Sequence, residues 1–289
     1  MAAHGQQAYE EVEQRAKERL ARIRHRVVVL SGKGGVGKST VAVNLAVSLA
    51  ARGLQVGLLD VDIHGPSVPH MLGLGDARPV THDGALVPVE FAGTLKVMSI
   101  AFLLPRHDDP VIWRGPMKYG VIAQFLGDVE WGDLDYLVVD APPGTGDEPL
   151  TVLQMLGDLD GAVIVTTPQE VAVNDVRRCV RFCEELHCPV LGVIENMSGL
   201  VCPHCGERID VFRRGGGEAL AKEAGVPFLG AVPLDPALVE SGDLGRPYMV
   251  AYTGSPAAAA FRDAILPLMA LDGPADAGVA RDEEKEETP

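Results

Sequence analysis

The sequence has little of what several large classes of protein require. Its 289 residues include 25 Lys and Arg against 40 Asp and Glu, a formal net charge of −15, which argues against a general nucleic-acid binder. No stretch approaches the ~18 uninterrupted apolar residues of a membrane-spanning helix. The apolar run at 27–30, after a basic N-terminal cluster, is too short for a secretory signal. We therefore expect a cytoplasmic protein with no nucleic-acid partner and no membrane partner.

Aromatic residues and cysteines are also scarce. Aromatic residues make up 5% of the chain and hydrophobic residues 47%, which predicts a globular protein with an aliphatic core. The five cysteines are an odd number in a long chain without a visible signal, so a disulfide framework is not expected. Metal or redox chemistry is favoured over disulfide bonds as the role of cysteine in this chain.

Short aliphatic runs alternate with helical patterns through most of the chain. Runs without polar alternation are typical of parallel strands that are buried on both faces. The predicted class is α/β, with a doubly wound, mostly parallel sheet flanked by helices. The predicted strands are 27–30, 56–59, 134–139, 162–165, 190–194 and 228–232. Between 73 and 116 helix signals are few, and the segments 85–91 and 95–100 predict an inserted hairpin.

The two ends of the chain differ from its body. Apolar residues recur at three- and four-residue steps between 8 and 23, which predicts an amphipathic helix within residues 1–25. Residues 272–289 hold seven acidic and two basic side chains and predict an acidic, disordered tail. The segment 26–271, with no clear linker, is predicted to form one domain.

A glycine-rich loop connects the first predicted strand to the helix after it. Its sequence G-K-G-G-V-G-K-S-T satisfies G-x-x-x-x-G-K-[ST] in a strand-loop-helix context. The glycines let backbone N–H groups surround phosphate oxygens, Lys38 reaches the terminal phosphates, and Ser39 offers its hydroxyl to Mg²⁺. The predicted nucleotide-binding residues of the loop are Gly32, Lys33, Gly34, Gly35, Val36, Gly37, Lys38, Ser39 and Thr40.

Aspartates follow two of the predicted strands. Asp60 and Asp62 come directly after the strand at 56–59, and Asp140 follows the strand at 134–139. Carboxylates at the C-terminal edge of parallel strands lie where α/β proteins bind ligands. Asp140 has the form of a Walker B element, which holds Mg²⁺ directly or through water. We expect the glycine-containing loop at 141–148 to reorder when the γ-phosphate is lost.

The turn Cys202-Pro203-His204-Cys205 follows the predicted strand at 190–194. A C-x-x-C turn places two thiolates within reach of one soft metal centre. A structural zinc site needs four ligands, and this pair supplies two. A redox dithiol is less favoured, because such motifs open a helix and here Gly206 and polar residues follow.

The motifs taken together resemble a known family. The loop at 32–40 resembles the deviant phosphate loop of the MinD/ParA/nitrogenase-reductase class of ATPases. The segments D-A-P-P-G-T-G-D-E, V-T-T-P-Q-E-V-A and E-N-M-S-G-L-V-C-P-H-C-G, in this order, resemble the Mrp/ApbC family of iron-sulfur cluster carrier ATPases. The similarity runs from about 24 to 268, so it covers nearly the whole predicted P-loop ATPase domain.

The resemblance implies an ATP-binding and ATP-hydrolysing homodimer with three catalytic residues, Lys33, Lys38 and Asp62. Lys33 would reach across the dimer to the partner's nucleotide, and Asp62 would position the attacking water. Asp60 would have a supporting role on the magnesium side, beside Ser39 and Asp140.

The resemblance also implies the cargo and the base contacts. Cys202 and Cys205 of each subunit would ligate a labile 4Fe-4S cluster that bridges the homodimer and passes to apo iron-sulfur proteins, with scaffold proteins as further partners. Asn196 would lie near the adenine. The base would be covered by the loop residues Pro233, Leu234 and Asp235.

Two other functions are alternatives to this one. A MinD/ParA-like positioning ATPase, which binds membrane or DNA, usually needs a basic or amphipathic surface, whereas this chain ends in an acidic segment. A nitrogenase-reductase-like electron donor places its cysteines in separated motifs. The three remaining cysteines, Cys179, Cys183 and Cys188, are interpreted as buried small hydrophobic residues rather than ligands.

Overall fold

The central sheet has eight strands, seven of them parallel. The computed structural model describes residues 11–12, 14–104, 115–202 and 204–271. The strands of the main sheet are β1 (Ile23–Leu30), β2 (Val56–Asp60), β5 (Val89–Phe91), β6 (Leu95–Ser99), β7 (Leu134–Asp140), β8 (Gly161–Thr166), β9 (Val190–Glu195) and β12 (Phe228–Ala231). Two small antiparallel pairs lie outside it: β3 (Val80–His82) with β4 (Ala85–Val87), and β10 (Leu200–Val201) with β11 (Arg208–Ile209).

The strand order is β12-β9-β8-β1-β7-β2-β6-β5, and only β5 runs antiparallel to its neighbour. The predicted doubly wound α/β class is confirmed. The residues of β1 from Val27 to Leu30 are at most 1% exposed, because helices cover both faces of the sheet. Since β1, β7 and β2 are adjacent, their C-terminal ends bring the glycine-rich loop, Asp140 and Asp60 to one edge.

Helices connect most of the parallel strands. In chain order they are α1 (residues 14–20, with 11–12 also helical), α2 (Lys38–Ala50), α3 (Val68–Met71), α4 (Gly115–Gly127), α5 (Asp147–Leu156), α6 (Glu170–Glu185), α7 (Gly216–Ala224), α8 (Pro236–Asp243), α9 (Tyr248–Ala251) and α10 (Pro256–Ile265). Short 3₁₀ segments cover Ile100–Leu103 and Leu266–Ala270. None of the helices in the described part of the chain is long and apolar enough to cross a bilayer.

The region predicted as a hairpin differs from the prediction in one strand. The predicted strand at 85–91 is interrupted at Pro88, which lacks the N–H that a continuous ladder requires. Its first half is β4 and pairs with β3, while its second half is β5 and pairs antiparallel with β6. β6 also pairs in parallel with β2, so the hairpin extends the main sheet instead of standing apart from it.

The N-terminal segment packs on the domain. Ala16 and Leu20 of α1 are each 2% exposed, and an added Cβ at Gly127 would lie 2.9 Å from the backbone oxygen of Val12. The first strand begins at Ile23, four residues earlier than predicted, because β7 continues the parallel ladder to the pair Ile23 and Leu134. Residues 1–10 of the predicted helical segment and the predicted tail at 272–289 lie outside the described residues.

Candidate nucleotide site and cysteine hairpin

The glycine-rich loop is shaped by two glycines with left-handed backbone. Gly35 has φ +79° and Gly37 has φ +87°, conformations that side chains with a Cβ rarely adopt. A Cβ at Gly37 would also lie 2.1 Å from Nδ2 of Asn196, and a Cβ at Gly32 would lie 2.5 Å from Cβ of Asp175. The loop is therefore held closely between α6 and the end of β9.

Lys38 is the buried cation of the site. Its Nζ lies 2.6 Å from Oδ1 of Asp140 and 3.4 Å from Oδ2 of Asp62, and the residue is 6% exposed. Burial alone would lower the pKa of Lys38, but the two carboxylates outweigh burial and raise this pKa. The lysine is thus ion-paired with Asp140, the last residue of β7, and with Asp62, which follows β2.

Asp140 has one oxygen that remains available. The residue is fully buried, and no hydrogen-bond partner for Oδ2 exists among the described residues. Burial raises the pKa of Asp140, while the charge of Lys38 opposes this rise. A buried carboxylate oxygen without a donor, beside the hydroxyl of Ser39, fits the oxygen ligands that Mg²⁺ prefers.

Both carboxylate oxygens of Asp60 accept hydrogen bonds from other groups of the protein. Its Oδ1 accepts from the backbone N–H of Asp62 (3.1 Å), and its Oδ2 accepts from the hydroxyl of Ser99 (2.9 Å) and the N–H of Val68 (3.3 Å). Burial and the neighbouring Asp140 raise the pKa of Asp60 to about 7. These bonds fix the loop that carries Asp62. The magnesium-side role of Asp60 stays a prediction.

Two adjoining cavities lie along the loop. One of about 280 Å³ is lined by residues of the loop together with Asp62 and Pro143. The other, also about 280 Å³, is lined by Asn196, Pro233, Leu234 and Asp235 among others. Both are lined by Thr40, Ser67 and Met71 and so form one continuous cleft. Its length and two-part character suit a phosphate chain with an attached base. Lys33 does not line either cavity.

The predicted base-contacting residues differ in how they are held. Asn196 donates from Nδ2 to the carbonyl of Val36 (2.9 Å), which ties the end of β9 to the phosphate loop. Asp235 caps α8 by accepting from the N–H of Ala237 (2.9 Å) and also accepts from the hydroxyl of Tyr248. The carboxylate of Asp235 therefore shapes the wall of the cleft.

The loop after β7 contacts the phosphate loop directly. Gly144 has φ +93°, and its N–H donates to the carbonyl of Ser31 (2.7 Å). At the start of α5, Glu148 Oε1 lies 3.1 Å from Nε2 of His64, which follows Asp62. The segment that follows Asp62 is thus linked to the start of α5, next to the loop that was expected to reorder when the γ-phosphate is lost.

The C-x-x-C turn sits at the tip of a two-stranded hairpin made by β10 and β11. The N–H of Cys202 donates to the carbonyl of Glu207 (2.8 Å), and the N–H of Gly206 donates to the carbonyl of Cys202 (2.9 Å). Cys202 is half-buried and Cys205 is exposed. Hydrogen bonds from Cys205 and His204 lower the pKa of Cys202, which favours the thiolate that binds metal.

Comparison with known proteins identifies the family. The family model described as ParA, the NUBPL iron-transfer P-loop NTPase, matches residues 22–269. The chain belongs to this family. An iron-sulfur cluster carrier protein of Methanocaldococcus jannaschii is 53% identical over 234 residues, 81% of each chain. Human cytosolic Fe-S cluster assembly factor NUBP2 is 51% identical over 245 residues, 83% of this chain and 90% of its own.

Solved structures agree with this assignment. A nucleotide-binding protein of Archaeoglobus fulgidus, in complex with ADP and with cobalt found in it, is 45% identical and superposes with a TM-score of 0.72, over 81% of this chain and 91% of its own. MinD of Pyrococcus horikoshii, at 22% identity and a TM-score of 0.64 over 86% of this chain and 97% of its own, shares the fold. The predicted resemblance to iron-sulfur carriers of the MinD/ParA class is confirmed.

Sequence reasoning missed a residue that holds the root of the cysteine hairpin. Glu195, the last residue of β9, is 1% exposed and accepts from the hydroxyl of Ser198 (2.6 Å) and from the N–H groups of Gly215 (3.0 Å) and Gly217 (2.7 Å). It joins the root of the cysteine hairpin to the start of α7. The only signal in the sequence is a carboxylate at the end of a buried strand, because two of its three donors lie 20 and 22 residues away.

The three other cysteines are buried, as predicted. Cys179 and Cys183 lie on α6 and are 0% exposed, and Cys188 is 7% exposed. Among the residues that the structure describes, no group of three or more His, Cys, Asp or Glu could hold a metal ion. Most of the site residues that the sequence singled out therefore lie either in the nucleotide cleft or in the turn with half-buried Cys202 and exposed Cys205, while Lys33 lines neither cavity.

Proposed function

We propose that this chain is a cytosolic ATPase that carries a labile 4Fe-4S cluster between two copies of itself and passes it to apo iron-sulfur proteins, with scaffold proteins as further partners. The relatives named as iron-sulfur cluster carrier and assembly factors support the cargo. The observation that carries the proposal is the pair of half-buried Cys202 and exposed Cys205 on a hairpin whose root is hydrogen-bonded to the nucleotide cleft.

The number of ligands supports a shared cluster. A four-iron cluster needs four thiolates, and the hairpin supplies two. Within the described residues no further metal ligands gather near them. A two-fold axis that pairs the hairpins of two copies provides the missing two without any other segment. Two ligands per chain on an exposed turn also suit a cargo that must be released.

Main-chain hydrogen bonds link the hairpin to the cleft. The N–H of Leu234 donates to the carbonyl of Gly199 (2.7 Å), and the N–H of Ser198 donates to the carbonyl of Val232 (2.9 Å). Leu234 lines the cleft, and Gly199 immediately precedes β10. A nucleotide that moves the 232–235 loop would therefore move the base of the hairpin, which gives ATP a physical route to the cysteines.

The chain's own side chains support slow ATP hydrolysis. Lys38 would exchange its ion pair with Asp140 for the terminal phosphates, and Asp140 and Ser39 are the residues that would hold Mg²⁺. The ion would supply charge neutralisation on the phosphate oxygens. Asp62, held through its backbone by Asp60, orients the attacking water, and Lys33 acts on the nucleotide of the partner.

Anaerobic reconstitution with iron and sulfide tests the proposal. We expect one four-iron cluster for two chains, a dimeric mass, and loss of the cluster in Cys202→Ser and in Cys205→Ser. The matched control is Cys179→Ser, which removes a buried thiol outside the hairpin and should keep the cluster. One tightly bound zinc per chain that survives the Cys202→Ser change would contradict the proposal.

A further inference from the structure

The end of α6 brings two cysteines into contact. The N–H of His187 donates to the carbonyl of Glu184 (3.1 Å), and the N–H of Cys188 donates to the carbonyl of Cys183 (2.9 Å). With His187 left-handed at φ +54°, these two bonds form a Schellman motif. This motif folds the residue after the cap onto the residue five positions earlier, so the side chains of Cys183 and Cys188 meet.

The two thiols have different environments. Cys183 is 0% exposed, whereas Cys188 is 7% exposed and lines a surface cavity of about 340 Å³ together with His187 and Asp158. The hydrogen bond between the thiols raises the pKa of Cys183 and lowers the pKa of Cys188. Cys188 lines the cavity and Cys183 does not, so Cys188 is the thiol of the pair that a small molecule in the cavity can reach.

Cys179 provides an internal comparison. It lies one helical turn before Cys183, is 0% exposed, and does not line the cavity. Burial raises the pKa of Cys179 to about 12. A thiol in this environment is inert, so reactivity on this helix is restricted to the pair at its end.

We propose that Cys188 and Cys183 form an oxidation site for small hydroperoxides, with Cys188 as the attacking thiol and Cys183 as the resolving thiol. The sulfur of Cys188 attacks the outer peroxide oxygen, the O–O bond breaks, and an alcohol or water leaves with a proton, which yields a sulfenic acid. The sulfur of Cys183 then attacks the sulfenic sulfur, and its proton leaves with the hydroxyl as water. Two thiols lose two electrons in total, and the peroxide is reduced.

The site is independent of the proposed cluster carrier function. Cys188 lies before β9, at the end of the sheet opposite to the edge that carries the nucleotide cleft. Neither nucleotide nor cluster is required for the reaction. A chain that fails to assemble a cluster could still form the Cys183–Cys188 cross-link, and a chain that does not form the cross-link could still assemble a cluster.

Peptide mapping of the full-length chain tests the proposal. The reduced, cluster-free protein is treated with hydrogen peroxide, blocked with iodoacetamide and digested with trypsin and Glu-C. Cleavage after Arg181, Glu184 and Glu195 separates Cys183, Cys188 and the hairpin cysteines into different peptides. We expect a cross-linked peptide that joins Cys183 to Cys188 and that dithiothreitol releases.

Variants and alkylation rates provide the controls. Cys179→Ser should keep the cross-link, and Cys183→Ser should instead accumulate a sulfenic acid at Cys188 that dimedone traps. In the untreated parent chain, which needs no variant to fold, iodoacetamide should modify Cys188 at least about tenfold faster than Cys179. Equal rates for these two cysteines, or a cross-link to Cys179, would overturn the proposal.

Discussion

The nucleotide cleft and the cysteine hairpin are built in opposite ways. The cleft lies at the ends of three adjacent central strands, and its charged residues Lys38, Asp60 and Asp140 are at most 6% exposed. The hairpin has two residues in each strand, and Cys205 at its tip is exposed. The core fixes the first site before any ligand arrives. The second site has a root held by hydrogen bonds at Ser198 and a tip that ends in the exposed Cys205.

The root of the hairpin, at Ser198 and Gly199, resembles the cleft in being held by contacts within the protein. Arg208 donates to the carbonyl of Ser198 (2.8 Å), and Gly199 has φ +72°, where a Cβ would lie 2.7 Å from Nε of Arg208. Glu195 holds Ser198 from the other side. We therefore expect the part of the hairpin that is held by hydrogen bonds to end between Gly199 and Cys202. The following substitutions test this expectation.

The largest effect should come from Lys38→Ala. The change removes the cation that neutralises the phosphates, so ATP turnover should fall by about 100-fold or more. Phosphate release at saturating ATP measures it, with Lys222→Ala on the exposed surface of α7 as the control. Turnover within twofold of the parent would mean that the cleft does not depend on its buried lysine.

Asp62→Ala should separate binding from turnover. Asp62 contributes one of the two carboxylates near Lys38, while the loop and Asn196 remain, so ATP should bind with little change. Turnover should fall by about tenfold or more because the attacking water loses its partner. Equilibrium binding and phosphate release on the same sample measure the two quantities, with exposed Asp76→Ala as the control. An unchanged rate would remove Asp62 from the proposed mechanism.

Glu195→Ala should weaken the root of the hairpin. The change leaves the Ser198 hydroxyl and two backbone N–H groups without their acceptor, which should lower the free energy of unfolding by about 3 kcal/mol. Urea denaturation measures this change. Glu185→Ala, at the exposed end of α6, should differ from the parent by less than about 0.5 kcal/mol. Similar values for both variants would show that the root is as adaptable as the tip.

The smallest effect on stability should come from Cys202→Ser. The tip contributes little packing, so the free energy of unfolding of the cluster-free chain should change by less than about 0.5 kcal/mol. Urea denaturation without metal measures this, and Co²⁺ absorption on the same sample should show that the thiolate signal is lost. A loss of several kcal/mol would mean that the tip is part of the folded core.

The class of fold and the outline of both sites could be predicted from local sequence. The phosphate loop, the aspartates at 60, 62 and 140, and the cysteine turn are each contiguous with a strand, and a strand end fixes where its next residue lies. The predicted strand at 85–91 was wrong in one respect, because the effect of Pro88 depends on which neighbour each half of the segment meets.

What the sequence determined by itself is the set of motifs whose residues are neighbours in the chain, since backbone geometry alone brings them together. Only the tertiary structure decided the ion pair between Lys38 and Asp140, which are 102 residues apart, and the two backbone donors that Gly215 and Gly217 bring to Glu195. The contact of Cys183 with Cys188 required a helix end whose left-handed residue, His187, is not the glycine that usually signals it. These contacts depend on side-chain packing and on local backbone energies, which cannot be predicted from the spacing of residue types along the chain.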